Sequence, residues 1–554
     1  MSSDSAKHLK TAARGDTVSG QMPQCGAGSG KDRLYQAACL YISLPLFVFF
    51  AGFLRWYYAL AGCAALLAVL LLVLRGNTQR RTPSVSWKTV GAVFLFCLLW
   101  SYLGGMNGFY YQSFDWDCRN AVYFDLIRFD WPVIYSNGGA LVYYIGHWLP
   151  PAAAAKLFTA VTGSPEAGLL AGRMLLWLWS SAGLTIVILL LFRLLQVRSR
   201  RQQIAAVFLF VFFSGMDLVG AVLFNTLDTA MRIDTLHALT PHLEHWSGGM
   251  QFSSMMTLLF WVFNQTIIPW VITLCFLLDD SPRSYVFYCV CCLLSGPFSC
   301  VGLVVLMVVR AGAFCVERIR QGLFRDIFRR ILSLQNLLSF CLPFPLVAGY
   351  ILSSNAAGGA AAAAGVGGAA VQSQGTSLFS AGYLNSQLYI FVIMEVGVYL
   401  FLVAVDHFRD PLYYTCWATF ILFPCVHVGA SIDFCMRATI PALFVLMVYV
   451  SRFLLEHLSF VREEAPASQL QTIRSRCAKV LLVCYILGMG TPLVELYRGA
   501  YHVIHEKTIF LEDQRLMTFE GREGNYNFVT AHPEYTFFFR HMAKTNATED
   551  GEGQ

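Results

Sequence analysis

Asp115 and Asp117 alternate around Trp116 in the stretch "SFDWDCRNAVYFDLIRFDWPVIY", residues 113–135, which sets four aspartates, two arginines and two tryptophans in a chain otherwise made of apolar runs. A carboxylate held beside a reacting hydroxyl is the requirement of general-base catalysis, because the ionised oxygen takes the proton as the hydroxyl attacks. A solvated acidic loop would carry the same letters, so position has to decide between the two. An ionisable pair pinned at a membrane boundary points to function.

Other clusters have polar types that bind or move charge. Asp217 lies in "SGMD" and Glu395 in "IMEVGVY", both inside apolar stretches where an acid needs a partner or a cavity. The stretch "TPHLEHWSGGMQFSS" packs His242, Glu244, His245, Trp246 and Gln251 together. Its spacing does not fit HExxH. A mixed carboxylate and imidazole set leaves a divalent cation open as cofactor, and the same groups suit hydrogen bonding to a polyhydroxyl ligand. In "DFCMRATIP", Asp433 and Arg437 stand four residues apart and share one face if helical. They form either an intrahelical ion pair or a phosphate clamp, since guanidinium binds phosphate bidentately.

The elements that must position these groups are helices in lipid. The chain has 554 residues, is 56% hydrophobic and 13% charged, and has a mean hydropathy of +0.56, values of a polytopic membrane protein. Apolar runs of about 20 residues, the length that crosses a hydrocarbon core, predict spans near 35–54, 57–75, 89–105, 174–196, 204–224, 256–278, 331–352, 386–404, 413–428, 438–455 and 479–497. Strands are excluded there because an open edge in lipid leaves backbone groups unpaired. The segment 285–309 carries Gly296 and Pro297 at its middle. As a single span it would send the basic run from Arg310 to Arg330 outside, against the positive-inside bias. A hairpin of two short helices turning at Ser295 to Ser299 keeps that run inside.

With the hairpin, loops rich in arginine and lysine all face the cytoplasm, and the acidic stretch, Asp217, the 242–251 cluster and Asp433 to Arg437 all face outward. Polar clusters distant in sequence but on one face suggest one shared site. Residues 118–129 read as an interfacial helix, ended by the Trp131-Pro132 dipeptide. Residues 310–330 read as an amphipathic segment on the inner headgroups, and the Ala/Gly run 355–375 as a flexible outer loop. Residues 1–33 are expected to be a disordered cytoplasmic tail without a cleaved signal peptide, 34–498 a transmembrane domain with catalytic outer loop 106–173, and 499–554 an outer C-terminal segment with a glycosylation sequon at Asn546.

Several function classes fall away. The formal charge of +6 is spread through loops at membrane edges, so membrane lipids and not nucleic acid are the expected partners. Most of the 17 cysteines sit in apolar runs as small hydrophobes, without zinc or disulfide spacing. No Walker A loop, Rossmann glycine set or GxSxG is present.

An aspartate just after an early span, followed by an interfacial helix in the first large outer loop and a later hairpin before a basic segment, resembles the GT-C class of membrane glycosyltransferases. The set "DWDCRNAVYFDLIRFDWPVIY", "FSGMDLVG", "HLEHWSGGMQFSS", "FWVFNQTIIPWV" and "DFCMRATIPALF" resembles a group of bacterial multi-pass proteins. The resemblance implies an all-α GT-C-like bundle of about 11–13 transmembrane helices in the plasma membrane, N-terminus cytoplasmic. It implies transfer of a sugar from a polyprenyl-phosphate donor to a glycan, lipid or protein acceptor at the outer face. Asp115, with Asp117 beside it, would be the base, Arg437 would meet the leaving phosphate, and Asp217 and Glu244 would orient acceptor hydroxyls or help hold a divalent ion. The chain departs from the class at the hairpin turn, where Ser295, Pro297 and Ser299 carry no charge. A polysaccharide polymerase or ligase is the alternative among enzymes. Outside enzymes the alternative is a transporter or flippase with Asp217 and Glu395 as coupling acids.

Overall fold

The computed structural model describes residues 32–76, 85–113, 115–223, 243–247, 250–354, 386–426, 433–458, 469–505, 517–522 and 527–544. The run 355–375, the sequon at Asn546 and residues 1–31 of the N-terminal tail lie outside them. Among the described residues helices dominate, and a single two-stranded sheet pairs Ala140–Leu141 with Val529–Thr530. Among the described residues seven helices are long and apolar enough to cross a membrane, or nine spans if two bent pairs each count once. Their outward faces are apolar, with Leu95 67% exposed, Phe401 65% and Ile486 57%. Such a belt is unfavourable in water and natural against lipid tails. The chain is an all-helical, multi-pass protein suited to a membrane.

Helices occupy each expected span, but several are interrupted, and one helix, Trp87–Leu103, is only 17 residues long. The stretch 204–224 is not one helix: Arg200–Val211 ends, and a second helix begins at Asp217 after Ser214-Gly215, two poor helix formers. The stretch 255–278 bends by 102°. There Thr266 Oγ1 donates to the carbonyls of Leu258 at 3.1 Å and Val262 at 2.9 Å, and this back-bonding competes with the helical ladder.

The hairpin is present. Tyr285–Leu293 folds back on Pro297–Arg320, so that Cys300 Sγ lies 3.4 Å from Cys289 O and Cys289 Sγ 3.6 Å from Met307 Sδ. Pro297 opens the second leg, where its missing N–H costs nothing. The expectation of two short helices holds for the first leg of 9 residues and fails for the second, whose 24 residues run on into the basic region. The expected amphipathic segment 310–330 is therefore split. Residues up to Arg320 belong to the long leg, Gly322 turns with φ +71, and only Phe324–Ile331 forms a separate helix with no buried residue.

The two ends of the bundle differ. At the basic end Arg193 pairs with Asp32, Arg310 Nη1 donates to Phe276 O at 3.1 Å, and Arg452 Nη2 to Leu194 O at 3.0 Å. The opposite end carries the long loop between Trp87–Leu103 and Pro165–Leu194. That loop contains the helix Trp116–Arg128, close to the predicted one. The helix does not lie open on a surface, since nine of its residues are buried. Trp116 stacks on Phe263 and its Nε1 donates to Phe260 O at 2.8 Å, while Tyr123 Oη donates to Gly172 O at 2.7 Å. The C-terminal segment covers the rest. Asp125 Oδ2 accepts from Tyr135 Oη and from the Phe519 amide, both at 2.9 Å. Burial pushes the Asp125 carboxyl above the ordinary carboxylate range, and these donors oppose the shift.

Candidate functional site at the loop end

Asp115 stands at the N-terminus of the loop helix, with its side chain 39% exposed. Its Oδ2 accepts from Arg119 Nη2 at 2.8 Å, one helical turn on. Arg119 is 4% exposed, and neither its Nε nor its Nη1 has a hydrogen-bond partner among the described residues. A buried guanidinium with two spare donors is a strong local cation. It fixes one carboxylate oxygen of a side chain that stays part-exposed. Asp117 follows in the first turn and is half-buried. A small cleft opens beside this helix, lined by Tyr111, Ser113, Trp116, Phe260, Trp261 and Glu495.

Glu495 reaches that cleft from the helix Gly490–His505. It accepts from Trp261 Nε1 at 2.8 Å and lies 3.4 Å from Arg498, whose guanidinium is 5.9 Å from the centre of the Trp261 ring. His502 stacks on Tyr111 with centroids 4.5 Å apart. These three residues were not among the expected site residues. Their spacing of three and four places them on one helical face, a signal present in the sequence but hidden at the end of an apolar run.

The expected cluster around 242–251 folds inward. Glu244 Oε1 accepts from the Ser254 amide at 2.8 Å and Oε2 from Gln251 Nε2 at 2.7 Å. Burial pushes its carboxyl up, with the charge of Asp217 adding to the effect. His245 is pushed down, first by burial and then by Arg498, against the opposing pull of its hydrogen bond with Gln251. Asp217 is buried, with Oδ2 accepting from Thr491 Oγ1 at 2.7 Å and Ser214 Oγ at 3.0 Å. Both acids are thus held by protein donors and do not face open solvent. Glu395, for which the sequence offers no partner, lies against Asp217 and accepts from Trp246 Nε1 at 2.7 Å.

Arg437 belongs to the short helix Asp433–Ala438, at the hairpin tip. Ser299 Oγ donates to Arg437 O at 3.0 Å, and Cys435 Sγ lies 3.7 Å from Gln251 O. The helix therefore bridges the uncharged tip and the Glu244 loop. The tip also meets the long loop, where the Gly146 amide donates to Leu294 O at 3.0 Å. His242 and the side chain of Asp433 lie outside the described residues. The contact at Arg437 is tight, because a Cβ on Gly302 would overlap Ala438 O. Gly302→Val should destabilise the protein by about 3 kcal/mol, at the upper end for overpacking, because a backbone carbonyl cannot move aside cheaply. The check is the loss of thermal stability on purified protein relative to Gly91→Val, a site where no atom lies within 4 Å.

No family model matches the chain, and no curated protein or solved structure matches it. Function has to be read from the site. Among the described residues the group whose ligand atoms converge enough for a metal is Asp406, Glu456 and His457. Asp406 there already holds His457 and Arg474, each at 2.7 Å, at the basic end. The loop-end acids do not converge in that way.

Proposed function

We propose that the chain is a GT-C-like integral membrane glycosyltransferase that moves a sugar from a polyprenyl-phosphate donor to a cell-surface acceptor, with the loop end at the outer face of the plasma membrane and the N-terminus in the cytoplasm. The observation that carries this reading is Asp115, one oxygen fixed by buried Arg119 and the side chain still 39% exposed. In the proposed reaction the free oxygen of Asp115 takes the acceptor's hydroxyl proton as that oxygen bonds to the sugar's anomeric carbon. The bond from that carbon to the phosphate oxygen breaks, and the polyprenyl phosphate leaves with the electron pair. In this reading Arg437, whose carbonyl accepts from Ser299 at the uncharged hairpin tip, would supply the cation for the departing phosphate. Asp117 supports the first turn beside Asp115. Asp217, Glu244, His245 and Gln251 hold the loop that borders the site, and in this reading they shape it without touching the reacting atoms.

A transporter or flippase is the second reading, favoured by Asp217 and Glu395 meeting where spans are interrupted. The test uses purified protein in nanodiscs with a panel of radiolabelled polyprenyl-phosphate sugars and extracted envelope acceptors. Acceptor-dependent release of the carrier phosphate is the expected result. No release with any donor, together with solute or lipid movement in sealed proteoliposomes, would replace the transferase by the transporter.

A further inference from the structure

Three long helical stretches lose regular geometry at one place. The helix from Arg200 stops at Val211 and resumes at Asp217, Ile393–Gly397 forms a π-helical turn, and Gln469–Gly488 gives way to Gly490–His505. They are in backbone contact. The Met216 amide donates to Met394 O at 3.2 Å, and a Cβ on Gly488 would meet Ser214 O at 2.8 Å and Gly215 O at 2.9 Å. Helical irregularities of this kind concentrate at functional positions. Here they surround two acids.

Asp217 and Glu395 are each 1% exposed and within hydrogen-bonding reach of one another. Asp217 Oδ2 is taken by Thr491 and Ser214, and Glu395 Oε1 by Trp246. Asp217 Oδ1 and Glu395 Oε2 have no donor among the described residues, and neither acid has an ion-pair partner there. Two carboxylates in contact in a dry site cannot both stay ionised. One proton between them supplies the missing donor, because a protonated carboxyl donates while its partner accepts.

We infer that Asp217 and Glu395 share a single proton and form a buried proton-binding site that latches the three interrupted helices together. The inference rests on neither functional reading. Other titratable groups face the pair. Glu244 comes from the adjoining loop with His245 beside it, and Tyr399 sits one turn along from Glu395 with Cys484 and Tyr485 behind it. From the last helix, Glu495 and Arg498 follow Thr491 one and two turns further on. Loss of the shared proton places two like charges in contact. Their repulsion would part the pair and free Trp246, so the loop bordering the candidate site would loosen as pH rises.

The test is labelling of the full chain in nanodiscs with dicyclohexylcarbodiimide, which attacks protonated carboxyls in apolar surroundings, and location of the adduct by peptide mass spectrometry. An adduct at Asp217 or Glu395 at neutral pH, fading as pH rises, is expected. In Asp217→Asn the amide supplies the donor that the shared proton supplied, so the Glu395 adduct should fall several-fold at neutral pH. Undiminished labelling of Glu395 in that variant overturns the inference. Infrared spectra of wild type and Glu244→Gln do not depend on the pair variants folding. A carboxylic C=O band that persists in Glu244→Gln at neutral pH and titrates away upward supports the shared proton, and its absence from both proteins overturns it.

Discussion

Asp115→Asn should lower sugar transfer by about 10²–10⁴-fold, the usual worth of a positioned general base, while leaving donor binding unchanged. The substitution keeps size and one acceptor oxygen, so Arg119 can still donate to it as it does now at 2.8 Å. What is lost is the capacity to take a proton. Asp117→Asn should cost far less, because its side chain projects about 200° further round the helix and cannot address the same hydroxyl. Arg119→Lys should fall between them, since a point charge replaces the fork that fixes the carboxylate. The measurement is single-turnover release of carrier phosphate, with donor affinity measured separately. Equal rates for wild type and Asp115→Asn would place the base elsewhere, and a matching loss of donor affinity would make Asp115 a binding residue.

The architecture was legible wherever charge and hydropathy acted locally. The hairpin followed from a charge argument, since one uninterrupted span would have reversed the side of a long basic run, and Gly296-Pro297 marked the turn. The loop helix was legible from its apolar spacing and the proline after it. Its cover was not, because the Asp125 to Phe519 hydrogen bond joins segments nearly 400 residues apart. Interruptions inside apolar runs were the weakest point. The break at Ser214-Gly215 was missed inside the span predicted over 204–224, and the π-turn around Glu395 inside the span predicted over 386–404. The partner of Glu395 was illegible for the same reason. Glu244 and Asp217 read as ligands because acids near a membrane face imply function, and a single sequence does not reveal that Gln251 and the Ser254 amide donate to the first and Thr491 and Ser214 to the second.

Arg498→Met should destabilise the protein by about 3–5 kcal/mol, the cost of breaking a buried ion pair from one side. Arg498 is 0% exposed, and the Glu495 side chain is 3% exposed. Methionine fills much of the volume and keeps contact with Trp261, so the loss is electrostatic and not a cavity effect. It leaves a buried carboxylate that accepts from the Trp261 indole N–H at 2.8 Å without its counter-charge. Adding Glu495→Gln should restore most of the stability, because a neutral amide still accepts from Trp261 and no longer needs a counter-charge. Thermal unfolding of the two single variants and the double variant in nanodiscs gives the coupling directly. Additive losses would mean that Arg498 acts through its other contacts and that Glu495 is not its main partner. A rescued fold with impaired transfer would separate the two roles of this face, because the same carboxylate lines the cleft beside Asp115's helix.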